Sequence, residues 1–139
     1  MTGALLPRLR DLQAELAALA PQQAVLVLLV SRHDCPYCLE VRRNYLAPLL
    51  RGADPRLVVR ELESDTVAEL VDGAGRLQPI AEVLRQLNVR FFPTVLFFGS
   101  GGRALAEALP GLDQAGFYGA YLDGRLQQAQ AAALMSRKD

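Results

Sequence analysis

The sequence predicts a single α/β domain built on a mixed β-sheet. Its 139 residues are the length of one domain. The hydrophobic fraction of 51% and the charged fraction of 22% are those of a globular protein that buries one core. Along the chain, short β-branched apolar runs alternate with stretches of helical periodicity, as strands and helices do in α/β domains.

Composition and charge argue against several classes of protein. Basic and acidic residues number 15 each, so net charge gives no indication of binding to nucleic acid or to an anionic membrane. The longest apolar run, residues 24–30, is far short of the roughly 20 residues that span a bilayer. Charges such as Arg8 and Asp11 interrupt what would be the apolar region of a signal peptide. Two cysteines are too few for a disulfide scaffold. The compartment stays open, because a processed precursor would look the same.

The first elements are expected to be a helix, a strand and a second helix. Leucines recur at helical spacing over residues 4–19, which predicts an amphipathic N-terminal helix ended by Pro21. Residues 24–30 are apolar and rich in valine, which predicts a strand buried on both faces. After a polar loop, Asp34 is the expected N-cap of a helix that Pro48 should kink or end.

Further strands and helices are expected in the second half of the chain. A second strand is predicted over residues 56–63, and residues 66–71 fit either a strand or a helix. A glycine-rich turn at 72–75 then precedes a helix over 79–87.

The last strands are expected to form a hairpin. A strand is predicted over residues 93–98, because a proline is compatible with a core strand only at its first residue. The turn at 99–102 leads to a returning strand at 103–109. A final helix is predicted from Asp113, with Gly124 as a candidate interruption. Its expected core face consists of Tyr118, Tyr121, Leu122 and Leu126.

Both cysteines lie in the motif Cys35-Pro36-Tyr37-Cys38. Residues three apart lie about one turn apart on a helix, so a disulfide between them closes a very small ring and adds little stability. A bond of slight structural value is better explained as one that is made and broken. Pro36 suits the first helical position. Cys35 would then lie at the helix N-terminus, where the macrodipole favours a thiolate, so we expect it to be the nucleophile and the more buried Cys38 to attack second.

Two other interpretations of the motif remain open. The cysteines are also compatible with half of a metal site, or with two unreactive thiols. His33, the single histidine, would be a third metal ligand, but no fourth is evident. The sequence therefore predicts no metal site, and we expect the arginines near the motif, Arg32, Arg42 and Arg43, to form a solvated face.

The order of elements resembles the thioredoxin superfamily over roughly residues 22–135. CPYC opens a helix after the first core strand, and a proline opens the third. In this family a cis-proline precedes the third strand and faces the cysteines, and Phe92-Pro93-Thr94 resembles that segment. The resemblance implies one thioredoxin-like domain over residues 1–139. In it, residues 1–21 are an N-terminal helical extension and residues 64–79 are an insertion.

Within the superfamily the resemblances are mixed. CPYC is similar to the glutaredoxin motif, but residues 109–113 lack the Gly-Gly-x-Asp that glutaredoxins use for glutathione. The long segment 64–79 and the aromatic final helix are most similar to periplasmic thioredoxin-related proteins of the SoxW type. Thioredoxins carry a buried acid six residues before the first cysteine, where this chain has Leu29. Glu40, two residues past Cys38, is the nearest acidic candidate for this role, but we expect it to be exposed, with water as an alternative proton acceptor.

The resemblance implies a thiol–disulfide oxidoreductase of the reducing type, with catalytic Cys35 and Cys38. The expected substrate-binding residues are Pro36, Tyr37, Phe92, Pro93 and Gly111, with Phe91 beside them. No cofactor is expected besides the Cys35–Cys38 disulfide. Expected partners are disulfides of proteins or small thiols and an upstream thiol reductant, without nucleic acid or membrane insertion. We expect a monomer in the periplasm, with the cytoplasm as the alternative. A non-catalytic redox sensor or partner-binding module is the competing function, and an iron–sulfur or zinc carrier bridging two chains is a third.

Overall fold

The computed structural model describes residues 6–136. Its helices are α1 (Leu12–Ala17), α2 (Pro36–Val41), α3 (Ala47–Arg51), α4 (Ile80–Gln86) and α5 (Tyr118–Ser136), with a 3₁₀ turn at Ala20–Gln22 and a π-helical turn at Arg42–Leu46. Its strands are β1 (Val25–Ser31), β2 (Leu57–Glu63), β3 (Glu69–Val71), β4 (Leu77–Pro79), β5 (Thr94–Phe98) and β6 (Leu109–Pro110). The predicted strands at 24–30, 56–63 and 93–98 and the helix at 79–87 are confirmed to within two residues.

The main sheet is mixed and has the strand order β2-β1-β5-β6. Strand β1 lies parallel to β2 and antiparallel to β5, and β5 lies antiparallel to β6. Every residue of β1 is buried, as expected for a strand with helices on both faces. The predicted α/β class with a mixed central sheet and an N-terminal helix is confirmed.

The apolar side chains on the two faces of β1 belong to two separate core clusters. One face contributes Val27 and packs with residues of α2, α3 and α5, including Val41. The other face contributes Leu28 and packs with α1 and α4, including Val83. Because successive strand residues point to opposite faces, this layering explains the uninterrupted apolar run of β1.

The N-terminal helix is shorter than the predicted span of residues 4–19, of which 4 and 5 lie outside the described residues. It begins at Leu12, because Asp11 caps it by accepting a hydrogen bond from the Ala14 N–H at 2.9 Å. The residues before Asp11 run extended beside β2. There Leu9 N–H donates to Glu61 O, and Glu61 N–H donates to Pro7 O, both at 2.9 Å.

The segment between β2 and α4 is a small hairpin. The ambiguous residues 66–71 end in β3, which pairs with β4 in an antiparallel two-stranded sheet. The predicted turn at 72–75 joins the two strands. Asp72 holds this turn by accepting hydrogen bonds from the N–H groups of Ala74 and Arg76, each at 2.9 Å.

The helix after CPYC differs from the prediction at its start and its middle. Asp34 is not the N-cap, because its backbone is left-handed (φ 54°), and Cys35 takes that position instead. The interruption expected at Pro48 lies before it, in the π-helical turn, where the Ala47 N–H donates to Arg42 O. A proline ring clashes with the carbonyl four residues earlier in an α-helix, and the wider turn avoids this clash. Pro48 then lies in the first turn of α3.

The C-terminal part differs from the prediction in its returning strand and in the start of its final helix. The returning strand at 103–109 is reduced to β6 and a bridge between Phe98 and Ala104. Leu105 and Ala106 are both buried, which an alternating strand does not allow. The final helix begins at Tyr118 rather than Asp113.

Two glycines explain where α5 begins and why it continues. Gly116 has a left-handed backbone (φ 92°), which is incompatible with the predicted earlier start. Gly124 does not interrupt α5, because the helix is anchored on both sides of it by buried Leu122 and Leu126. Tyr118 is also buried, as expected, whereas Tyr121 is 45% exposed at the margin of the apolar stripe.

Candidate active site

The two cysteines occupy the start of helix α2. Cys35 is the N-cap, with an extended backbone, and Pro36 opens the helix. The cysteines are joined by a disulfide, and their Cα atoms lie 5.2 Å apart. The Cys38 N–H also donates a hydrogen bond to Cys35 Sγ at 3.2 Å. The sulfur of Cys35 therefore receives a backbone N–H that has no partner within the helix.

The two sulfurs differ in their access to solvent. Cys38 is 0% exposed, whereas Cys35 is half-buried. Between them, Pro36 and Tyr37 are exposed, Tyr37 by 48%. A partner molecule can thus approach Cys35 across Pro36 and Tyr37, while Cys38 is covered by the protein.

A second part of the site lies at the start of β5. The Phe92–Pro93 peptide bond is cis, Pro93 is buried and Phe92 is half-buried. The Gly111 N–H donates to Pro93 O at 2.6 Å, beside the pairing of Thr94 with Pro110. Phe92, Pro93 and Gly111 are therefore brought together.

Two side-chain contacts link the cysteine loop, residues 32–38, to the second part of the site and to the turn that follows Gly111. The guanidinium carbon of Arg32 lies 5.6 Å from the centre of the Phe92 ring, within range of a cation–π contact. Gln114 Nε2 donates to the hydroxyl of Tyr37 at 2.5 Å. The second contact was not predicted from the sequence, because nothing in the local pattern relates residues so far apart.

Large apolar side chains are exposed in the segments that carry the site. Phe91 is 67% exposed beside Phe92. Phe117 and Tyr121 are 57% and 45% exposed, and their ring centres lie 6.4 Å apart. A depression of about 370 Å³ is lined in part by Gly111, Tyr121 and Arg125. These segments offer apolar surface to a partner molecule.

A buried ionic cluster that was not predicted from the sequence lies behind the cysteine helix. Glu61 on β2 is 0% exposed. Its carboxylate accepts hydrogen bonds from Ser31 Oγ at 2.5 Å and from Arg42 Nε and Nη2 at 2.8 and 2.6 Å. The hydrogen bonds that Arg42 donates to Glu61 raise the pKa of Arg42 above its usual value. Arg42 is therefore not part of a solvated face, contrary to the prediction, because its side chain is only 13% exposed.

The position of Glu61 bears on the acid that this chain lacks at Leu29. Leu29 is buried on β1, and Glu61 is its register partner on the parallel strand β2. Partners across a parallel pair point to the same face of the sheet. Glu40, the candidate from the sequence, is exposed as expected. A sequence signal existed, because Glu61 lies two residues after Val59 on β2 and so shares the face of that buried apolar residue, but charged residues in a strand are more often solvated.

Within residues 6–136, no group of three or more His, Cys, Asp or Glu side chains could hold a metal ion. Among the helices of that same part, none has both the length and the apolar character needed to cross a membrane.

The chain is similar to known proteins in both sequence and fold. The sequence matches the family model described as thioredoxin-like domain over residues 12–123. The search of curated proteins found no match. Mitochondrial thioredoxin 3 from Saccharomyces cerevisiae, in its oxidised form, is a similar solved structure, with a TM-score of 0.59 and 16% identity over 90% of this chain and 99% of that chain.

Two further thioredoxins have the same fold. Thioredoxin from Fasciola hepatica has a TM-score of 0.56 and 15% identity, over 87% of this chain and 99% of that one. Thioredoxin O2 from Arabidopsis thaliana, in an oxidised state, has a TM-score of 0.54 and 18% identity, over 90% and 94%. The fold and its Cys-x-x-Cys disulfide support thiol–disulfide oxidoreduction at a general level. With a family model that matches most of its length, this chain belongs to the family of thioredoxin-like domains.

Proposed function

We propose that this protein is an enzyme that reduces disulfides in other proteins through the Cys35–Cys38 dithiol. One observation carries the proposal: a half-buried cysteine at a helix N-terminus is disulfide-bonded to a fully buried one. The helix N-terminus favours a thiolate at Cys35. The burial of Cys38 keeps it from external disulfides and leaves it within reach of Cys35.

The proposed reaction has two steps. The Cys35 thiolate attacks one sulfur of a substrate disulfide, forms a mixed disulfide and releases the other substrate sulfur as a thiolate, which takes up a proton. Cys38 then loses its proton and attacks Cys35 Sγ, which releases the second substrate thiolate. The substrate gains two electrons and two protons, and the enzyme is left with the Cys35–Cys38 disulfide. An upstream thiol reductant returns it to the dithiol.

The substrate is proposed to bind along the surface around Cys35. Pro36 and Tyr37 form one part of this surface, and Phe92, Pro93 and Gly111 form the other. Support comes from the Tyr37–Gln114 hydrogen bond and from the Arg32–Phe92 contact, each of which joins a residue of one part to a segment beside the other. The backbone of Phe92 is the proposed partner of an extended substrate segment.

We further propose that the protein acts in the periplasm as a monomer, in the manner of SoxW-type proteins. The support is the resemblance of the long 64–79 segment and of the aromatic final helix. Fractionation of cells that express the natural full-length gene tests the compartment. Recovery with cytoplasmic markers would refute this part of the proposal and leave the chemistry unaffected.

Insulin reduction by dithiothreitol tests the activity. The wild-type protein should accelerate the precipitation of insulin chains, and Cys35→Ser should abolish the acceleration. A protein that only binds a partner or senses redox state would give no acceleration. A coloured protein, or one metal ion per dimer, would instead indicate a metal or cluster carrier.

Trapping experiments test the order of the two steps. Cys38→Ser should accumulate mixed disulfides with substrate, because attack proceeds and resolution does not. Cys35→Ser should trap none and serves as the matched control. Equal capture by both variants would contradict an ordered mechanism.

A further inference from the structure

The buried cluster around Glu61 is joined through Arg42 to the helix that carries the resolving cysteine. Arg42, which binds Glu61 with two hydrogen bonds, also donates its backbone N–H to the carbonyl oxygen of Cys38. Arg42 lies four residues after Cys38, one helical turn away on the same side of the helix. Glu61 thus binds the side chain of the residue one helical turn after Cys38.

The charges in this cluster balance. Arg8 lies 3.9 Å from Glu61 and 3.8 Å from Glu63, and Arg42 lies 3.8 Å from Glu63. Two guanidinium groups therefore face two carboxylates behind the cysteine helix. The remaining charged groups around the cysteine loop are exposed: Arg32, His33, Asp34, Glu40, Arg43 and Asp65. Exposed charges act weakly across water, whereas Glu61 and Arg42 are little screened.

We propose that Glu61 is a positioning residue that sets the redox balance of the Cys35–Cys38 couple by compensating the charge of Arg42. This inference rests on the proposed function. The paired guanidinium holds the turn after Cys38 against β2 and adds little net positive potential at the thiols. The reduced form is therefore not over-stabilised, which keeps the couple suited to reducing substrates.

The sign of each perturbation follows from electrostatics. Removal of the Glu61 charge leaves Arg42 uncompensated, which stabilises thiolates and favours the reduced dithiol, so the couple becomes more oxidising. Removal of the Arg42 charge leaves Glu61 uncompensated, which disfavours thiolates and makes the couple more reducing. A purely structural role would loosen the helix in both variants and would not produce opposite shifts.

The test uses Glu61→Gln and Arg42→Gln in the full-length chain. The pH profile of Cys35 alkylation by iodoacetamide gives its thiolate fraction, and equilibration with glutathione at pH 8.5 gives the redox balance. We expect the thiolate fraction at pH 6 to rise about threefold in Glu61→Gln and to fall about threefold in Arg42→Gln. A threefold change in the glutathione equilibrium corresponds to about 14 mV for a two-electron couple.

Control variants separate charge from structure. Arg42→Lys keeps the charge, so its thiolate fraction and redox balance should stay near those of wild type. The double variant Glu61→Gln/Arg42→Gln removes both charges, so both quantities should return towards wild type. Glu82→Gln removes a carboxylate that binds Arg85 in a similar way on the exposed surface of α4, and it should have no effect. If Glu61→Gln does not fold, the contrast between Arg42→Gln and Arg42→Lys carries the test.

Shifts in the same direction, or unshifted profiles in variants that fold, would overturn the inference. A wild-type protein that fails to reduce insulin would instead refute the proposed function. The two failures are therefore distinguishable.

Discussion

Replacement of Tyr118 by phenylalanine should stabilise the protein. The Tyr118 side chain is 1% exposed at the start of α5, and its ring packs edge-on against Tyr45 with centres 4.8 Å apart. Its hydroxyl oxygen is buried and finds no hydrogen-bond partner among residues 6–136. Phenylalanine keeps the ring and its packing and removes only the hydroxyl.

The size of the effect follows from the cost of an unsatisfied polar group. A buried group without a partner costs about 1–3 kcal/mol, and loss of the packing of one oxygen atom offsets part of that. We therefore expect Tyr118→Phe to raise the free energy of unfolding by about 1 kcal/mol. For a domain of this length, that corresponds to a rise in Tm of about 3 °C.

The difference in stability between Tyr118→Phe and wild type should grow at high pH. Burial raises the pKa of the Tyr118 hydroxyl well above its usual value of 10.0. The folded protein therefore keeps this proton where the unfolded chain loses it, so wild-type stability falls as pH rises above about 10. The phenylalanine variant lacks this loss, so its stability advantage over wild type should grow by up to about 1.4 kcal/mol per pH unit.

Urea denaturation at pH 7 and at pH 10.5 measures both effects. Tyr121→Phe is the matched control, because Tyr121 is 45% exposed and its hydroxyl is accessible to water, so its replacement should change stability by less than about 0.5 kcal/mol. Destabilisation of Tyr118→Phe by more than that would show that the hydroxyl has a favourable interaction and would refute the reasoning.

Three other outcomes are expected. Iodoacetamide near pH 6 should label Cys35 of the reduced protein before Cys38, which mass spectrometry of peptides would show, and preferential labelling of Cys38 would reverse their roles. Asp11→Ala should lower the free energy of unfolding by about 1 kcal/mol through loss of the α1 cap, whereas Asp11→Asn should retain most of it in the same urea titration. Asp72→Asn should be less stable than wild type at pH 7. The pKa of Asp72 is lowered mainly by the hydrogen bond from the Arg76 backbone. The stability advantage of wild type over Asp72→Asn is therefore present above about pH 4 and should vanish as pH falls through the lowered pKa.

The fold was predictable where local pattern and tertiary packing agree. The run that became β1 is apolar because both of its faces are covered, so its composition alone identifies it. The start of α5 was not predictable, because Asp113 resembles an N-cap. Its carboxylate instead accepts hydrogen bonds from Ala115 and Phe117 N–H at 3.2 and 2.8 Å in a turn before the helix. Capping residues also favour turns, and local sequence does not separate the two.

The site was predictable in its cysteines and not in its supporting contacts. CPYC carries its chemistry in four consecutive positions, so a single chain segment identifies it. The cluster of Ser31, Arg42 and Glu61 is assembled from two strands and a helical turn. Such pairings depend on strand register, which the sequence does not specify by itself.

The extended residues before α1 protect one edge of the main sheet from pairing with another molecule of this protein. Strand β2 is an outer strand of the main sheet, and its open hydrogen-bonding side would otherwise be a template for pairing with another molecule. Backbone bonds between this segment and Glu61 occupy part of that side. The opposite margin, β6, is two residues long and includes Pro110, which has no N–H to offer. A version shortened to begin at α1 should therefore be more prone to aggregate, even with its disulfide chemistry intact.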